Sequence, residues 1–219
     1  MNPILKRVLT ALTTATLAVL AIVFAPTSWM QPVFSVLITL VFFEFALLLR
    51  RKVPLFSLRG LYGIAFGYFV IAVGLAALPV AAIRHGNLMM LYLIALVKIS
   101  DMGGFAFGVS TARMMRGGNH KLCPAISPNK SWEGLLGSLL GSCVLSCCFV
   151  SVTHFATPKA LSFGIVAALI GTFGDLVESK FKRWVGVKDS ATFMPAGLGG
   201  LLDMFDSLII APAVLLPLI

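Results

Sequence analysis

Charge is scarce in this sequence, and negative charge most of all. Only 11% of the 219 residues are charged, and eight are Asp or Glu, whereas typical soluble domains are about 25% charged. Hydrophobic residues make up 59% of the chain, against about 45–50% in such domains. The shortage of charge therefore excludes an ordinary soluble domain and indicates a polytopic membrane protein.

The usual patterns of zinc sites and phosphate loops are also lacking. The three histidines are scattered, and the four cysteines lack the paired spacing of zinc ligands or of a disulfide framework. The P-loop pattern G-x-x-x-x-G-K-[ST] does not occur. Basic and aromatic residues are not interleaved as in single-strand binders, so despite a net charge of +9 we expect no nucleic-acid partner.

Long apolar runs are what the sequence has in abundance. A helix that crosses a bilayer needs about 20 apolar residues, and we identify seven such runs. We predict an all-α fold, a polytopic membrane helix bundle of about seven transmembrane helices, with an N-terminal scaffold of three helices (residues 1–87) and a second domain (residues 88–219) that carries the polar motifs. The predicted spans are Leu9–Ala25, Val33–Leu49, Leu61–Ala82, Leu88–Val109, Leu135–Phe155, Leu161–Leu176 and Leu201–Ile219.

Basic residues are distributed unevenly between the two sides of this bundle. If the N-terminus is cytoplasmic, 14 of the 17 Lys and Arg residues fall in inside segments, and this bias sets membrane orientation. We therefore predict an integral protein of the inner (cytoplasmic) membrane, with a cytoplasmic N-terminus and the polar site on the cytoplasmic face. The first span resembles a secretory signal, but Pro26 directly follows the plausible cleavage position, so we interpret it as an uncleaved anchor.

The acids gather where a membrane protein would normally avoid them. Seven of the eight follow residue 100, several inside or beside apolar runs, where an ionised side chain costs about 2.5–3.5 kcal/mol and marks a functional site by default. In GDLVESKFKR, the spacing of Asp175, Glu178, Ser179 and Lys182 places all four on one helix face. The alternative for this segment is a salt-bridged, solvated helix end.

Two further segments combine polar groups with basic residues. Lys98 and Asp101, three apart in VKISDMGG, either neutralise one another or place Asp101 in a polar cavity with Lys98 beside an anion. The segment HKLCPAISPNKSWEGLLGS places Ser127, Lys130 and Ser131 just before a helix that begins near Ser131. Backbone N–H groups at such a start, with a nearby Lys, can bind phosphate.

A third segment, KRWVGVKDSATFMPAGLGG, contains Lys182, Arg183 and Lys188 and then leads through several glycines to Asp203. These glycines allow a close approach of the backbone to a ligand, although a Gly-rich turn before a membrane helix is common without any ligand. Mg²⁺ is usually bound by one or two carboxylates together with substrate phosphate oxygens. Carboxylates, basic residues and Gly-rich loops on one membrane face therefore indicate Mg²⁺ and phosphates.

In chain order, these segments resemble one family, the CDP-diacylglycerol synthases (phosphatidate cytidylyltransferases). The stretch SKFKRWVGVKDSATFMPAGLGGLLDMFDS is similar to the family's S-x-φ-K-R-x4-K-D-S followed by P-G-H-G-G-φ-φ-D-R-φ-D-S, where φ is apolar. Upstream, DMGGFAFG and HKLCPAISPNKSWEG resemble D-x-x-A-Y-x-x-G and H-K-L-x-P-x-I-S-P-x-K-T-x-E-G. The resemblance covers residues 98–210, and several motifs in the family's order are highly specific.

The sequence departs from this pattern in two places. Leu198 lies where the family has a His, in a segment one residue longer, and Met204 replaces the family's Arg. The contacts that the family's His and Arg would make are therefore absent here or are supplied by other residues of this chain. Arg183 and Lys188 are the nearest candidates. The chain is also short for the family, so we expect one or two N-terminal spans to be missing. An inactive, degenerate relative is the alternative.

The resemblance implies that CTP and phosphatidate react to give CDP-diacylglycerol and pyrophosphate for phospholipid synthesis. It makes residues 88–219 the catalytic domain. It also implies Mg²⁺ as cofactor, with one or two metal ions in all, and a homodimer embedded in the lipid membrane. The implied catalytic residues are Asp175, Asp203, Lys130, Lys182, Arg183 and Lys188, with Asp175, Asp203 and Asp206 as metal ligands. The implied substrate-binding residues are Asp101, Ser127, Ser131, Glu178, Ser179, Asp189, Gly199, Gly200 and Asp206.

The membrane location also predicts how the lipid arrives. We expect the acyl chains of phosphatidate to stay in the bilayer while its headgroup enters a polar, funnel-like cavity walled by the C-terminal spans. CTP would reach the same cavity from the cytoplasm.

Three other functions compete with this interpretation. A CTP-dependent polyprenol or lipid kinase would use the same nucleotide but transfer its γ-phosphoryl group. An ion-coupled transporter would use intramembrane Asp and Lys residues, yet its charges would lie near mid-membrane in two related halves, and the sequence has no internal repeat. A CDP-alcohol phosphotransferase is disfavoured because its D-G-x-x-A-R…G-x-x-x-D-x-x-x-D pattern does not occur.

Overall fold

Helices make up almost all of the fold. The computed structural model describes residues 13, 16–115, 118–188, 190 and 200–219, and residues 16–24 are helical. The helices that follow are α1 (Thr27–Arg50), α2 (Leu58–His85), α3 (Asn87–Met114), α4 (Trp132–Cys148), α5 (Val150–Thr153), α6 (Thr157–Val185), α7 (Leu201–Phe205) and α8 (Ala211–Leu215), with 3₁₀ turns at Ser207–Ile209 and Leu216–Leu218.

Four of the described helices, α1, α2, α3 and α6, are long and apolar enough to cross a membrane. They have 24, 28, 28 and 29 residues, and the chain is therefore an integral membrane protein. The helical runs predicted over Val33–Leu49, Leu61–Ala82, Leu88–Val109 and Leu161–Leu176 are confirmed. Seven spans and a cytoplasmic N-terminus stay predictions.

Two predicted spans are not single spanning helices. The run Leu135–Phe155 divides at Phe149 into the 17-residue α4 and the four-residue α5. The predicted span Leu201–Ile219 is not one continuous α-helix but a series of short helices and 3₁₀ turns. Pro212 and Pro217 stand at the starts of two of these pieces, and proline lacks the N–H that would continue a helix.

A short β-hairpin, which was not predicted, lies between α3 and α4. Strands β1 (Lys121–Cys123) and β2 (Ser127–Ser131) pair antiparallel, with Lys121 opposite Ser131. The hairpin leads directly into α4, where the Oγ of Ser131 accepts a hydrogen bond from the N–H of Gly134 at 3.0 Å. The predicted helix start at Ser131 is therefore confirmed, with Ser131 as its N-cap.

Small residues let α3, α4 and α6 pack closely. A Cβ added at Gly103 of α3 would lie 2.5 Å from the carbonyl oxygen of Gly137 in α4, so the two backbones are in direct contact. The Oγ of Ser142 in α4 donates to the carbonyl of Gly164 in α6 at 2.8 Å. Both kinds of contact are typical of membrane helices, whose association depends on close packing and interhelical hydrogen bonds.

The C-terminal segment lies against α6 at the level of its acidic residues. A Cβ added at Gly174 would be 3.0 Å from the carbonyl oxygen of Asp206. Deeper in the molecule, a Cβ at Gly74 of α2 would overlap the carbonyl of Ile209. Glycines on two spanning helices therefore place residues 203–210 beside the charged part of α6.

Candidate functional site

One face of α6 carries the charged residues that the sequence placed there. Asp175, Glu178 and Lys182 all lie within α6. The Nζ of Lys182 lies 2.8 Å from Oε2 of Glu178 and 2.8 Å from Oδ1 of Asp203 in α7. The three side chains are only 6–18% exposed, so water screens their interactions weakly. The structure thus favours a buried polar site over a solvated helix end.

Backbone groups fix the orientation of Asp203 from the other side. Its Oδ2 accepts hydrogen bonds from the N–H of Ser190 at 2.9 Å and from the N–H of Gly200 at 3.0 Å. Its own N–H donates to the Oγ of Ser190 at 3.3 Å. A Cβ at position 200 would overlap that Oγ, so glycine is needed for this close approach.

Lys130 brings the β-hairpin into contact with α6. Its Nζ lies 2.5 Å from Oδ2 of Asp175 and 3.5 Å from the carbonyl oxygen of Thr172. The second carboxylate oxygen of Asp175, Oδ1, is buried and has no hydrogen-bond partner among the described residues. Burying an unpaired carboxylate oxygen is costly, so this atom is a candidate ligand for a cation.

A second polar network joins α3 to the C-terminal segment. The Oγ of Ser207 donates to Oδ2 of Asp101 at 2.8 Å. Lys98 lies 3.7 Å from that carboxylate but donates more closely to the carbonyl of Met204, at 2.9 Å. Lys98 therefore neutralises Asp101 only at long range, and the alternative of a polar cavity with Lys98 beside an anion stays a prediction. The contact with Met204 uses its backbone and does not depend on the side chain that departs from the family pattern.

The acids therefore fall into two neighbouring groups. Glu178 and Asp203 surround Lys182. Asp175 is close enough to Asp101 and to Asp206 for like-charge repulsion with both. Such a concentration of carboxylates in a buried place is stabilised by cations, and Lys98 and Lys130 supply part of that charge.

A divalent cation fits part of this arrangement. Within the parts of the chain that the structure describes, no three His, Cys, Asp or Glu side chains are grouped closely enough to enclose a metal ion. Mg²⁺ does not need such a group, because substrate phosphates and water complete its coordination. Asp175, with its unpaired Oδ1, and the neighbouring Asp206 fit this role. Both oxygens of Asp203 already accept hydrogen bonds, and the metal roles of all three aspartates stay predictions.

The sequence analysis missed a contact that fixes the hairpin. The N–H and the ring Nδ1 of His120 lie 3.1 and 2.7 Å from Oε1 of Glu133. The hydrogen bond from the His120 ring, with backbone N–H donors, lowers the pKa of Glu133 to about 2. Both residues belong to the HKLCPAISPNKSWEG motif, and their place in that motif could have suggested that they interact.

Glu44 is the second residue that was missed. It lies in α1, is fully buried, and its Oε2 accepts a hydrogen bond from the N–H of Leu202 at 2.7 Å. As the one acid before residue 100 and inside an apolar run, it could have been found by the rule that intramembrane carboxylates are functional.

The other predicted residues lie less deeply in the site. Arg183 and Lys188 are exposed, and Ser127 and Ser179 are half-buried. Asp189 and Gly199, and the departing residue Leu198, lie outside the described residues. Their proposed roles stay predictions.

Comparison with known proteins gives one family. The sequence model of the cytidylyltransferase family matches residues 2–219. Curated relatives named phosphatidate cytidylyltransferase include one from Staphylococcus aureus (strain COL), 42% identical over 120 residues, which are 54% of this chain and 44% of that protein.

Two further relatives carry the same name. The protein from Staphylococcus haemolyticus (strain JCSC1435) is 40% identical over 147 residues, 66% of this chain and 50% of that protein. The protein from Haemophilus influenzae (strain ATCC 51907 / DSM 11121 / KW20 / Rd) is 38% identical over 133 residues, 57% of this chain and 43% of that protein. The chain spans about half the length of the curated relatives it matches.

Proposed function

The chain belongs to the cytidylyltransferase family, and from that premise we propose that it transfers the cytidylyl group of CTP to phosphatidate. The observation that carries the proposal is a pair of lysine–carboxylate contacts on one spanning helix, α6. Lys130 pairs with Asp175, and Lys182 pairs with Asp203. Two lysines beside two carboxylates suit a reaction between two phosphates, one of them on a lipid. The names of the relatives agree with these substrates.

In the proposed reaction an oxygen of the lipid phosphate attacks the α-phosphorus of CTP. A new P–O bond gives CDP-diacylglycerol, and the bond to the β-phosphate breaks to release pyrophosphate. Such a transfer needs positioning and charge neutralisation more than covalent catalysis. Lys130 and Lys182 bind phosphate oxygens, and the backbone N–H groups of Ser190 and Gly200 keep Asp203 in place while Lys182 turns to the substrate.

The proposed cofactor is Mg²⁺, with one or two metal ions in all, held by Asp175 and Asp206 and, as the resemblance implies, Asp203. When bound, it would neutralise charge on the CTP phosphates. The unpaired Oδ1 of Asp175 supports this assignment. Asp101 orients the neighbouring Ser207, with 2.8 Å between their oxygens.

We further propose that the site faces the cytoplasm of a cell whose inner membrane holds the chain through seven spans. The bias of basic residues supports this orientation: Arg50, Arg59 and Arg183 lie at the ends of α1, α2 and α6 near the site, and Arg84 and Lys159 lie at the opposite ends. The proposed assembly is a homodimer, which rests on the family resemblance alone.

The test uses the full chain in lipid nanodiscs with Mg²⁺, phosphatidate and CTP labelled either in the cytosine ring or at the γ-phosphate. We expect the cytosine label in the lipid product and the γ-label in pyrophosphate. A γ-label in the lipid would instead identify a lipid kinase. Absence of both labels from the lipid, under conditions in which the Staphylococcus aureus relative makes CDP-diacylglycerol, would contradict the proposal.

A further inference from the structure

An apolar groove lies beside the polar site and reaches into the membrane part of the molecule. It is lined by α1, α2, α6 and the C-terminal segment, and its cavity volume is about 610 Å³. Along α2 it extends from Arg59 to Ile71, twelve residues or about 18 Å at 1.5 Å per residue. Because the hydrocarbon core is about 30 Å thick, the groove is about as deep as one leaflet.

The walls of the groove match a lipid chain. Phe45, Phe66 and Phe181 line it, together with the aliphatic Val70 and Val177. Phe66 is 70% exposed, so the groove is open on a surface at membrane depth. A volume of this size is in the range of small-molecule sites, about 300–1,000 Å³.

Positive charge marks one end of the groove. Lys52, just after α1, and Arg59, in the first turn of α2, both line the groove and are exposed. Trp184 lies at the same end of α6, where aromatic residues are typical of the membrane–water interface. The basic end of the groove complements an anionic headgroup, and its apolar walls complement the acyl chain below that headgroup.

The groove and the polar site share a wall. Glu178 lines the groove, and its side chain is 6% exposed. Its Oε2 pairs with Lys182, while its Oε1 has no hydrogen-bond partner among the described residues. Glu178 therefore lies between the groove that it lines and Lys182, with which it is paired.

Resting on the proposed function, we propose that this groove holds an acyl chain of the substrate phosphatidate, and that Lys52 and Arg59 bind its phosphate. The helices α1 and α2 then form part of the lipid site. The predicted cavity was walled by the C-terminal spans, and the groove adds the N-terminal region to it, because Phe45, Phe66 and the two basic residues come from that region.

The first experiment maps the chain position directly. Full-length protein in phosphatidylcholine nanodiscs is photolabelled with phosphatidate that carries a diazirine on one acyl chain, and the labelled peptides are located by mass spectrometry. We expect labels on α2 and α6 within the groove, reduced at least severalfold in Val177→Trp, which fills the groove. Leu169→Trp is the matched control, since Leu169 is on the same helix, equally exposed and outside the groove.

The second experiment measures how much the two basic residues contribute to phosphatidate binding. The double variant Lys52→Gln, Arg59→Gln should raise the KM for phosphatidate about tenfold, the effect of losing charge-assisted hydrogen bonds, and leave the KM for CTP unchanged. Lys180→Gln is the control, because Lys180 is an exposed lysine near the same end of α6 and does not line the groove.

The outcomes separate the groove from the reaction. Labels in the groove that Val177→Trp removes would uphold the lipid site even if no CDP-diacylglycerol forms. Equal labelling of the two Trp variants would overturn it even if turnover is normal. So would photolabelling that is suppressed as strongly by added phosphatidylglycerol as by added unlabelled phosphatidate. An unchanged KM for phosphatidate in the double variant would overturn the role of Lys52 and Arg59.

Discussion

Glu44 in α1 accepts a hydrogen bond from the backbone N–H of Leu202 in α7, with 2.7 Å between the nitrogen and Oε2. Its Oε1 is 2.6 Å from the position that a Cβ would take on Gly200. Since Gly200 donates to Asp203, one buried carboxylate holds the backbone on which the site carboxylate depends. The N-terminal helices therefore position part of the candidate site.

We predict that Glu44→Ala lowers turnover and thermal stability, because the N–H of Leu202 loses its acceptor, at a cost of about 1–3 kcal/mol. Glu44→Gln retains an acceptor oxygen and should recover most of the stability. Leu40→Ala, at an exposed position of the same helix, is the control. The measurements are thermal unfolding in detergent and steady-state turnover, and wild-type turnover in Glu44→Ala would exclude the positioning role.

Asp175 and Asp203 should respond differently to Mg²⁺. Asp203→Asn is predicted to lower turnover about 10–100-fold at limiting Mg²⁺, and excess Mg²⁺ should recover it only in part, because the ion pair with Lys182 is also lost. Asp175→Asn should mainly raise the Mg²⁺ concentration needed for half-maximal activity. Magnesium titrations of both variants test this. Near-normal turnover of Asp203→Asn at limiting Mg²⁺ would show that Asp203 is not a metal ligand.

The features that the sequence could predict are the local ones. Apolar runs identified the four spanning helices, and the i, i+3, i+7 spacing placed Asp175, Glu178 and Lys182 on one face, because helix periodicity depends on neighbouring residues. The partners of these residues could not be predicted in the same way. Glu44 and Leu202 are 158 residues apart, and no local pattern links two such positions.

In the C-terminal segment, a local pattern predicted a longer helix than the structure has. Its apolar composition predicted a single helix over residues 201–219, although Pro212 and Pro217 were visible in the sequence. High hydropathy indicates only that a segment lies in an apolar environment. A series of short helices packed against α2 and α6 lies in such an environment just as a single spanning helix does. Proline alone does not predict these breaks either, because Pro32 and Pro79 lie inside the continuous helices α1 and α2.

The contact between α3 and α4 makes a steric prediction. Gly103→Ala should destabilise the protein by about 1–3 kcal/mol, because its Cβ would lie 2.5 Å from the backbone carbonyl oxygen of Gly137. Gly108→Ala on the same helix should be tolerated, since its Cβ would have no neighbour closer than 3.6 Å. Thermal unfolding of the two variants provides the comparison. Equal melting temperatures would mean that the two helices do not pack as closely as described.

The hydrogen bond between His120 and Glu133 predicts a dependence of stability on pH. The pKa of Glu133 is lowered from 4.5 to about 2 in the folded protein, so folding favours the ionised carboxyl. Its contribution to stability is fully present above pH 4.5 and is lost as the pH falls through 2. The difference in melting temperature between wild type and Glu133→Gln should therefore shrink between pH 6 and pH 3. Lys121→Gln, an exposed neighbour in β1, should show no such trend, and a difference for Glu133→Gln that stays constant with pH would mean that the carboxyl gains nothing from His120.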